Sequence, residues 1–270
     1  MRRLFILLYM FFLIGCGGTS NTNVSAYNVK KLDVNTSWYW QLQGNLKKYS
    51  TKLYDIDLFD TSKDTINKLK KEGKIVICYF SAGTYENWRE DANQFKEEDL
   101  GNEVDGWEGE RWLDIRSENV RDIMKKRLDL AKNKGCDGVE PDNVDGYINN
   151  TGFDLTYDDQ IDYNIFLSKE AKKRGLLVGL KNDLDQIPDL VDYFDFALNE
   201  ECHEFNECDK LMPFIRKNKP VFNAEYDSNY LSSENFHKLC EDANKRKFMT
   251  AIYSKDLDGS LFKPCYKVKK

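Results

Sequence analysis

The sequence predicts an α/β fold of the (β/α)8 TIM barrel class in a single domain. Short apolar runs alternate with longer polar segments of helical period, which is typical of repeated strand-helix units around a parallel sheet. The roughly 235 residues from position 36 to 270 suit one such barrel, since α/β barrels commonly have about 250 residues. Polar residues close most of the apolar runs, and in a barrel these positions meet at one rim.

Eight apolar runs are predicted strands, over residues 37–42, 53–59, 75–80, 138–142, 177–181, 194–199, 221–225 and 248–253. Helices are predicted over residues 62–72, 118–134, 158–174 and 233–246, several of them starting at Ser or Asp caps. A ninth run, at 112–115, is assigned to a short piece inside the long connection after the third strand. An open sheet is the alternative topology.

The amino terminus is typical of a secretory signal. Arg2 and Arg3 precede an apolar run over 4–14 that is too short to span a bilayer, and the run ends at Gly15-Cys16 in a sequence similar to the bacterial lipobox. We therefore predict a lipoprotein signal peptide at 1–15, a lipidated Cys16 with a flexible tether over 16–35, and the barrel domain over 36–270. The expected location is extracytoplasmic, with membrane attachment through the lipid. An ordinary signal peptide cleaved elsewhere is the alternative.

The charge of the chain restricts its partners. The formal net charge is −6 at pH 7, and removing Arg2 and Arg3 with the signal leaves 38 basic against 46 acidic residues, or −8. An acidic surface repels phosphates, which argues against nucleic acid as a partner. The same long-range field would attract a cationic substrate.

Six cysteines accompany Cys16, and an even number outside the cytoplasm indicates disulfides. Six cysteines allow 15 connectivities, among which the sequence does not choose. The pairing assumed here is Cys202 with Cys208, Cys78 with Cys136, and Cys240 with Cys265. Zinc is the rival use, but no C-x2-C pair exists and His203 and His237 lie far apart, so no metal ligands are assigned.

The segment 138–147 carries the clearest site signal. Glu140 and Asp142 alternate along a predicted strand and therefore project to the same side, with Asp145 in the following turn. Converging like charges raise each other's pKa, which is tolerated mainly where carboxylates do chemistry, bind a cation or pair with a base. An acidic strand end capped by ordinary turn residues is the alternative interpretation.

Other predicted strands also end in polar or aromatic residues, and carboxylates beside aromatic rings suit a carbohydrate site. Any single aromatic is also explained as a core residue. The sequence lacks nucleotide-binding, zinc-protease and serine-hydrolase motifs, so no cofactor is predicted. A divalent cation at the acidic strand ends is an open alternative. The strand-end residues are Trp40, Gln41, Asp55, Asp57, Ser81, Tyr85, Lys181, Asn182, Asp183, Asn199, Glu200, Glu201, Glu225 and Tyr226.

Eight motifs in order carry a resemblance to a known family. They are WYWQL at 38–42, YDIDLFD at 54–60, CYFSAG at 78–83, WLDIR at 112–116, GCDGVEPDN at 135–143, GLKND at 179–183, NEEC at 199–202 and AEY at 224–226. Across 38–226 the chain resembles glycoside hydrolase family 114, the endo-α-1,4-polygalactosaminidase group. The resemblance implies a (β/α)8 barrel that cuts chains of α-1,4-linked galactosamine, a polymer that is cationic when its amines are free.

The resemblance also implies roles for individual residues. Asp142 is the implied nucleophile or base and Glu200 the implied acid of a two-carboxylate mechanism. A buried ion pair is the alternative explanation for Lys181 and Asp183. A catalytically silent lipoprotein that binds glycan in the same cleft is the second functional hypothesis. The residues implied to bind and orient substrate are Trp40, Asp55, Tyr85, Glu140, Asp145, Lys181, Asp183, Glu225 and Tyr226.

Overall fold

The computed structural model describes residues 31–268. Its strands are β1 (Trp38–Gln41), β2 (Leu53–Asp57), β3 (Ile75–Ser81), β4 (Thr84–Glu86), β5 (Leu100–Glu103), β6 (Glu110–Leu113), β7 (Gly138–Asp142), β8 (Leu177–Lys181), β9 (Phe196–Glu200), β10 (Val221–Glu225), β11 (Met249–Tyr253) and β12 (Phe262–Pro264). Its helices are α1 (Lys63–Lys71), α2 (Glu118–Lys134), α3 (Tyr157–Lys173), α4 (Ile187–Leu190), α5 (Met212–Arg216) and α6 (Ser233–Arg246).

The main sheet follows the order of a barrel. It runs β1-β2-β3-β7-β8-β9-β10-β11 with every neighbouring pair parallel, and β12 adds to β11 in antiparallel direction. Each of the eight predicted runs forms one of the parallel strands, and the predicted α/β barrel class is confirmed. A side chain of β1 connects the two ends of this order, since Trp38 Nε1 donates a 2.6 Å hydrogen bond to the backbone carbonyl of Met249 in β11. No backbone ladder joins β1 to β11 within residues 31–268.

A small antiparallel sheet, in the order β4-β6-β5, occupies the long connection between β3 and α2. The apolar run predicted as a short piece of this connection overlaps β6, as expected. Because the connection leaves the carboxyl end of β3, the small sheet lies at the rim where a barrel carries its site.

Aromatic rings fill the interior of the barrel. Trp38 packs on Phe222 and Tyr253 with ring centroids 5.1 and 5.5 Å apart, and all three side chains are buried. Gly179 faces Phe196 so closely that an added Cβ would lie 2.2 Å from its ring, and only glycine fits there. The interior is therefore a packed core, and a ligand can enter only at the rim.

The long helices start and stop at residues of the expected kind. Ser117 caps α2 by accepting a hydrogen bond from the backbone N–H of Val120, and Gly135 ends the helix at φ 94°. Thr156 and Asp159 form a capping box at the start of α3. These two helices pack on each other and cover β7, the strand with the acidic segment.

Three disulfides are present, Cys78–Cys136, Cys202–Cys208 and Cys240–Cys265, and the assumed pairing is confirmed. The first ties β3 to the end of α2, and the second closes the loop that follows β9. The predicted signal peptide, Cys16 and most of the tether lie outside the described residues. Leu32, near the end of that tether, is 4% exposed and belongs to the core. None of the described helices has the length and apolar character needed to cross a membrane.

Candidate active site

A buried lysine organises the carboxyl ends of the parallel strands. Lys181 is 2% exposed, and its Nζ lies 3.0 Å from Glu140 Oε1, 3.1 Å from Asp142 Oδ1 and 3.4 Å from Glu200 Oε2. Burial alone lowers the pKa of Lys181, but attraction to Asp142, Glu140 and Glu200 outweighs it and holds this pKa well above its usual value. Strands β7, β8 and β9 thus bring four of the predicted site residues together.

Two of the three carboxylates around Lys181 are open to a ligand. The side chains of Asp142 and Glu200 are 17% and 28% exposed, whereas Glu140 is fully buried. Asp142 Oδ2 accepts from the Tyr79 hydroxyl at 3.0 Å and its Oδ1 from the backbone N–H of Asn143 at 2.7 Å.

Glu200 is held by two further donors. Its Oε1 accepts from the Tyr226 hydroxyl at 2.5 Å, and its Oε2 accepts from Asn182 Nδ2 at 3.2 Å. Both open carboxylates are therefore fixed in orientation by neighbouring donors, which is the preorganisation that catalysis requires.

Asp55 and Glu140 form a second layer under the open carboxylates. Asp55 is 1% exposed, and burial raises its pKa to about 7 although its contact with Glu140 and the charge of Lys181 lower it. Burial also raises the pKa of Glu140 well above its usual value. Two carboxyl groups in contact share a proton more readily than they both ionise. Neither residue lines the cavity above them. Glu140 contacts Lys181 directly, and Asp55 interacts with the charge of Lys181 and with Glu140.

A cavity of about 540 Å³ lies over Asp142 and Glu200. Of the predicted substrate-binding residues, Trp40, Asp145, Lys181 and Tyr226 line it. A second cavity of about 330 Å³ adjoins it past Glu200, and a third of about 360 Å³ adjoins it past Tyr79 and Glu110. The three form one groove, called the cleft below, with the two open carboxylates near its middle.

The family of the chain follows from a comparison with known protein families. The model of the glycoside-hydrolase family GH114 matches residues 18–268, nearly the whole chain. The chain belongs to family GH114. It is accordingly a glycoside hydrolase, and the resemblance found in its motifs is confirmed.

Solved structures similar to the GH114 chain agree with this assignment. The crystal structure of Aspergillus fumigatus Ega3 in complex with galactosamine is 45% identical, covers 85% of this chain and 95% of its own, and has a TM-score of 0.80. The glycoside hydrolase domain of PelA from Pseudomonas aeruginosa shares the fold at 11% identity and a TM-score of 0.65, with 83% of this chain and 97% of that one covered. A comparison with curated proteins found no match.

Three residues that were not among the predicted site residues also line the central cavity. Tyr79 donates to Asp142, and Trp107, which is 56% exposed, belongs to the same lining. Glu110 is 9% exposed, and burial, followed by repulsion from Glu86, raises its pKa to about 7. Tyr79 could have been found from the alternation of β3, which places it on the same side as Ser81. Trp107 and Glu110 come from a connection whose sequence has no periodic signal.

Four of the predicted substrate-binding residues do not line the cleft: Asp55 and Glu140 lie beneath it, and Glu225 and Tyr85 lie away from it. Glu225 lies on the outer face of β10 because it alternates with the interior residue Ala224. Its Oε1 accepts from the backbone N–H of His203 at 3.0 Å and from Asn223 Nδ2 at 3.1 Å. Tyr85 lies in the small sheet, with its ring centroid 5.7 Å from that of Phe95.

Because Glu225 is fully buried, it should make stability depend on pH. Burial raises its pKa to about 7, so the folded state holds a proton that the unfolded state loses near pH 4, and the free energy of unfolding should fall as pH rises from about 4 to about 7. Glu225→Gln should remove roughly 2–3 kcal/mol of this fall.

Urea unfolding at pH 4.5 and pH 8 measures this effect of Glu225. Glu234→Gln is the matched control, because Glu234 pairs with Lys238 at the surface and its side chain is 78% exposed. An equal pH dependence in Glu225→Gln and wild type would contradict the prediction.

Asp183 is separated from Lys181 by a strained turn. Asn182 and Asp183 have φ of 46° and 43°, a left-handed conformation that costs of order 1 kcal/mol for each such residue. The turn directs Asp183 away from Lys181, so the alternative Lys181–Asp183 ion pair is not formed. Asp183 instead accepts a 2.8 Å hydrogen bond from Asn164 Nδ2 and lines the second cavity.

Proposed function

We propose that this GH114 hydrolase cleaves α-1,4-linked galactosamine polysaccharide and uses Asp142 and Glu200 as its two catalytic carboxyl groups. The observation that carries the proposal is the pair of open carboxylates held by one buried lysine in the middle of the cleft. The 45% identity to Ega3, whose crystal structure contains galactosamine, supports the class of sugar.

The proposed reaction assigns different tasks to the two carboxyl groups. Glu200 donates a proton to the glycosidic oxygen as the bond to the leaving sugar breaks, while Asp142 attacks the anomeric carbon or deprotonates the attacking water. Each of the two carboxyl groups accepts two further hydrogen bonds, but Asp142 makes the shorter contact with Lys181, 3.1 against 3.4 Å, which suits the group that acts as an anion. Tyr226 orients Glu200 through its hydroxyl.

The electrostatics and shape of the cleft fit a cationic chain. Five carboxyl groups and two lysines line the central cavity, which favours a polymer with free amines. The cleft continues on both sides of the catalytic pair, and this supports cleavage inside a chain. The acidic members of the lining are Glu110, Asp142, Asp145, Glu200 and Glu201.

We also propose that the enzyme acts outside the cytoplasm as a membrane-anchored lipoprotein. The support is the signal-like amino terminus with its lipobox-like end at Cys16. The three disulfides agree with an oxidising compartment, where such bonds persist. Metabolic labelling with a radioactive fatty acid should label the wild type and leave Cys16→Ser unlabelled.

Degradation of defined polymers tests the catalytic proposal. The protein without residues 1–15 and with Cys16→Ser is incubated with α-1,4-galactosaminan, with its N-acetylated form and with chitosan, and released oligosaccharides are read by mass spectrometry. Chitosan is a polyamine of different linkage and controls for charge alone. We expect oligomers from galactosaminan and none from chitosan. Binding without products would instead favour the glycan-binding hypothesis.

A further inference from the structure

The turn that follows the proposed catalytic Asp142 has an unfavourable backbone conformation. Asn143 has a φ of 59°, in the left-handed region that residues other than glycine rarely adopt. Its backbone N–H donates to Asp142 Oδ1 at 2.7 Å, the same oxygen that lies 3.1 Å from Lys181 Nζ. The position of Asn143 therefore bears directly on the orientation of the Asp142 carboxylate.

The backbone of this turn is fixed against the segment that follows β3. The carbonyl oxygen of Asp142 accepts hydrogen bonds from the backbone N–H groups of Ala82 and Gly83 at 2.8 and 3.1 Å. The carbonyl oxygen of Gly83 accepts in turn from the backbone N–H of Leu113 in β6 at 2.9 Å. The peptide group between Asp142 and Asn143 thus takes its position from β3 and the small sheet as well as from β7.

The side chain of Asn143 continues this connection into a buried hydrogen-bond network. Its Nδ2 donates to Ser81 Oγ at 3.0 Å and to Thr84 Oγ1 at 3.3 Å, and the two hydroxyl oxygens lie 2.5 Å apart. Thr84 donates to Glu110 Oε2 at 3.0 Å. Ser81 and Thr84 are 1% and 0% exposed, so their hydroxyl groups depend on these partners. Asn143, Ser81, Thr84 and Glu110 are called the Asn143 network below.

The Asn143 network has a direction that satisfies all its groups. Ser81 Oγ accepts from the backbone N–H of Thr84 at 3.1 Å as well as from Asn143 Nδ2. The Ser81 proton is then donated to Thr84 Oγ1, and the Thr84 proton is donated to Glu110 Oε2. Removal of either hydroxyl would break the path from Glu110 to Asn143 and leave a buried partner unsatisfied.

We propose that Ser81 and Thr84, with Glu110 as their terminal acceptor, are positioning residues for Asp142. They hold Asn143 in its left-handed conformation, and Asn143 holds the carboxylate. This inference rests on the proposed function, because it assigns these residues a task in the reaction of Asp142. Ser81 and Thr84 line no part of the cleft, so they act on the substrate only through Asn143. Their loss should slow the reaction and leave binding of the polymer intact.

The kinetics of Thr84→Val on galactosaminan test the proposal. Valine has nearly the shape of threonine but lacks the hydroxyl, so kcat should fall roughly 10- to 100-fold, as for a small misplacement of a reacting group, while KM stays within about twofold. Thr84→Ser restores the hydroxyl and should recover most of kcat. Thr250→Val is the matched control, because Thr250 is equally buried and its hydroxyl has no hydrogen-bond partner among residues 31–268.

Ser81→Ala is the second variant, and it decides the test if Thr84→Val does not fold. It should lower kcat in the same range. The double variant should be no slower than the slower single one, because both substitutions break one path. An unchanged kcat in a folded single variant, a loss confined to KM, a loss that Thr84→Ser does not recover, or losses that multiply in the double variant would each overturn the proposal.

The wild-type enzyme separates this proposal from the proposed function. Cleavage of galactosaminan by the wild type together with any of these contrary results leaves the proposed function standing. A wild type that releases no oligomers sinks both.

Discussion

Asp142→Asn and Glu200→Gln should each lower kcat/KM on galactosaminan by about 10²–10⁴-fold, the range for loss of one positioned acid or base. Both substitutions keep the shape of the side chain and an oxygen that can accept from Tyr79 or Tyr226. The loss should therefore appear in kcat, with binding of the polymer retained. Initial rates of reducing-end release measure the loss of kcat/KM. The affinity for an α-1,4-galactosamine trisaccharide provides the binding control.

An aryl galactosaminide with an acidic phenol distinguishes the two roles. Such a leaving group departs without a proton, so Glu200→Gln should recover much of the wild-type rate of bond cleavage while Asp142→Asn stays inactive. The opposite pattern would exchange the two roles. Near-normal rates for both variants on the polymer would exclude this pair as the catalytic machinery.

The barrel could be predicted from sequence because buried parallel strands are short apolar runs of limited length. The acidic site could be predicted because β7, β8 and β9 each end in a charged residue, and parallel strands bring those ends to one rim. The sequence did not reveal that Lys181 contacts Glu140, Asp142 and Glu200 together, since that depends on side-chain packing between three strands.

The structure corrects two predictions about the site, because the direction of the backbone decides on which side of a strand or turn a side chain lies. Glu225 was assigned to the cleft from its position at a strand end, although alternation with Ala224 turns it outward. The alternative of a Lys181–Asp183 ion pair was wrong for a similar reason, because the left-handed turn at Asn182 directs Asp183 into the second cavity. The glycine at position 83 is explained by packing between two segments, since an added Cβ would lie 1.6 Å from the carbonyl oxygen of Asn143, the residue after Asp142. Such contacts between distant segments have no local signal.

Lys181→Met should lower the free energy of unfolding by about 3–5 kcal/mol, because it leaves buried carboxylates without their cation. Methionine keeps the unbranched stem that lies near Trp40, where Nζ is 4.7 Å from the ring centroid, so lost packing contributes little. For a domain of this size the melting temperature should drop by about 10 °C. Activity should also be lost, since Asp142 and Glu200 would repel each other. Lys238→Met is the control, because Lys238 is 68% exposed and pairs with the exposed Glu234 at 2.6 Å, so its loss should leave the melting temperature near that of wild type.

The pH dependence of this defect identifies its cause. Without Lys181 the carboxyl groups of Asp55, Glu140 and Asp145 lose the positive charge that lowers their pKa values, so these pKa values in the folded state must rise further. The folded variant then binds more protons than the wild type, and its stability deficit should be large at pH 8 and shrink as the pH falls toward 5. A cavity or packing defect would cost the same at both pH values. Thermal unfolding of both proteins at pH 5 and pH 8 therefore separates an electrostatic role for Lys181 from a steric one.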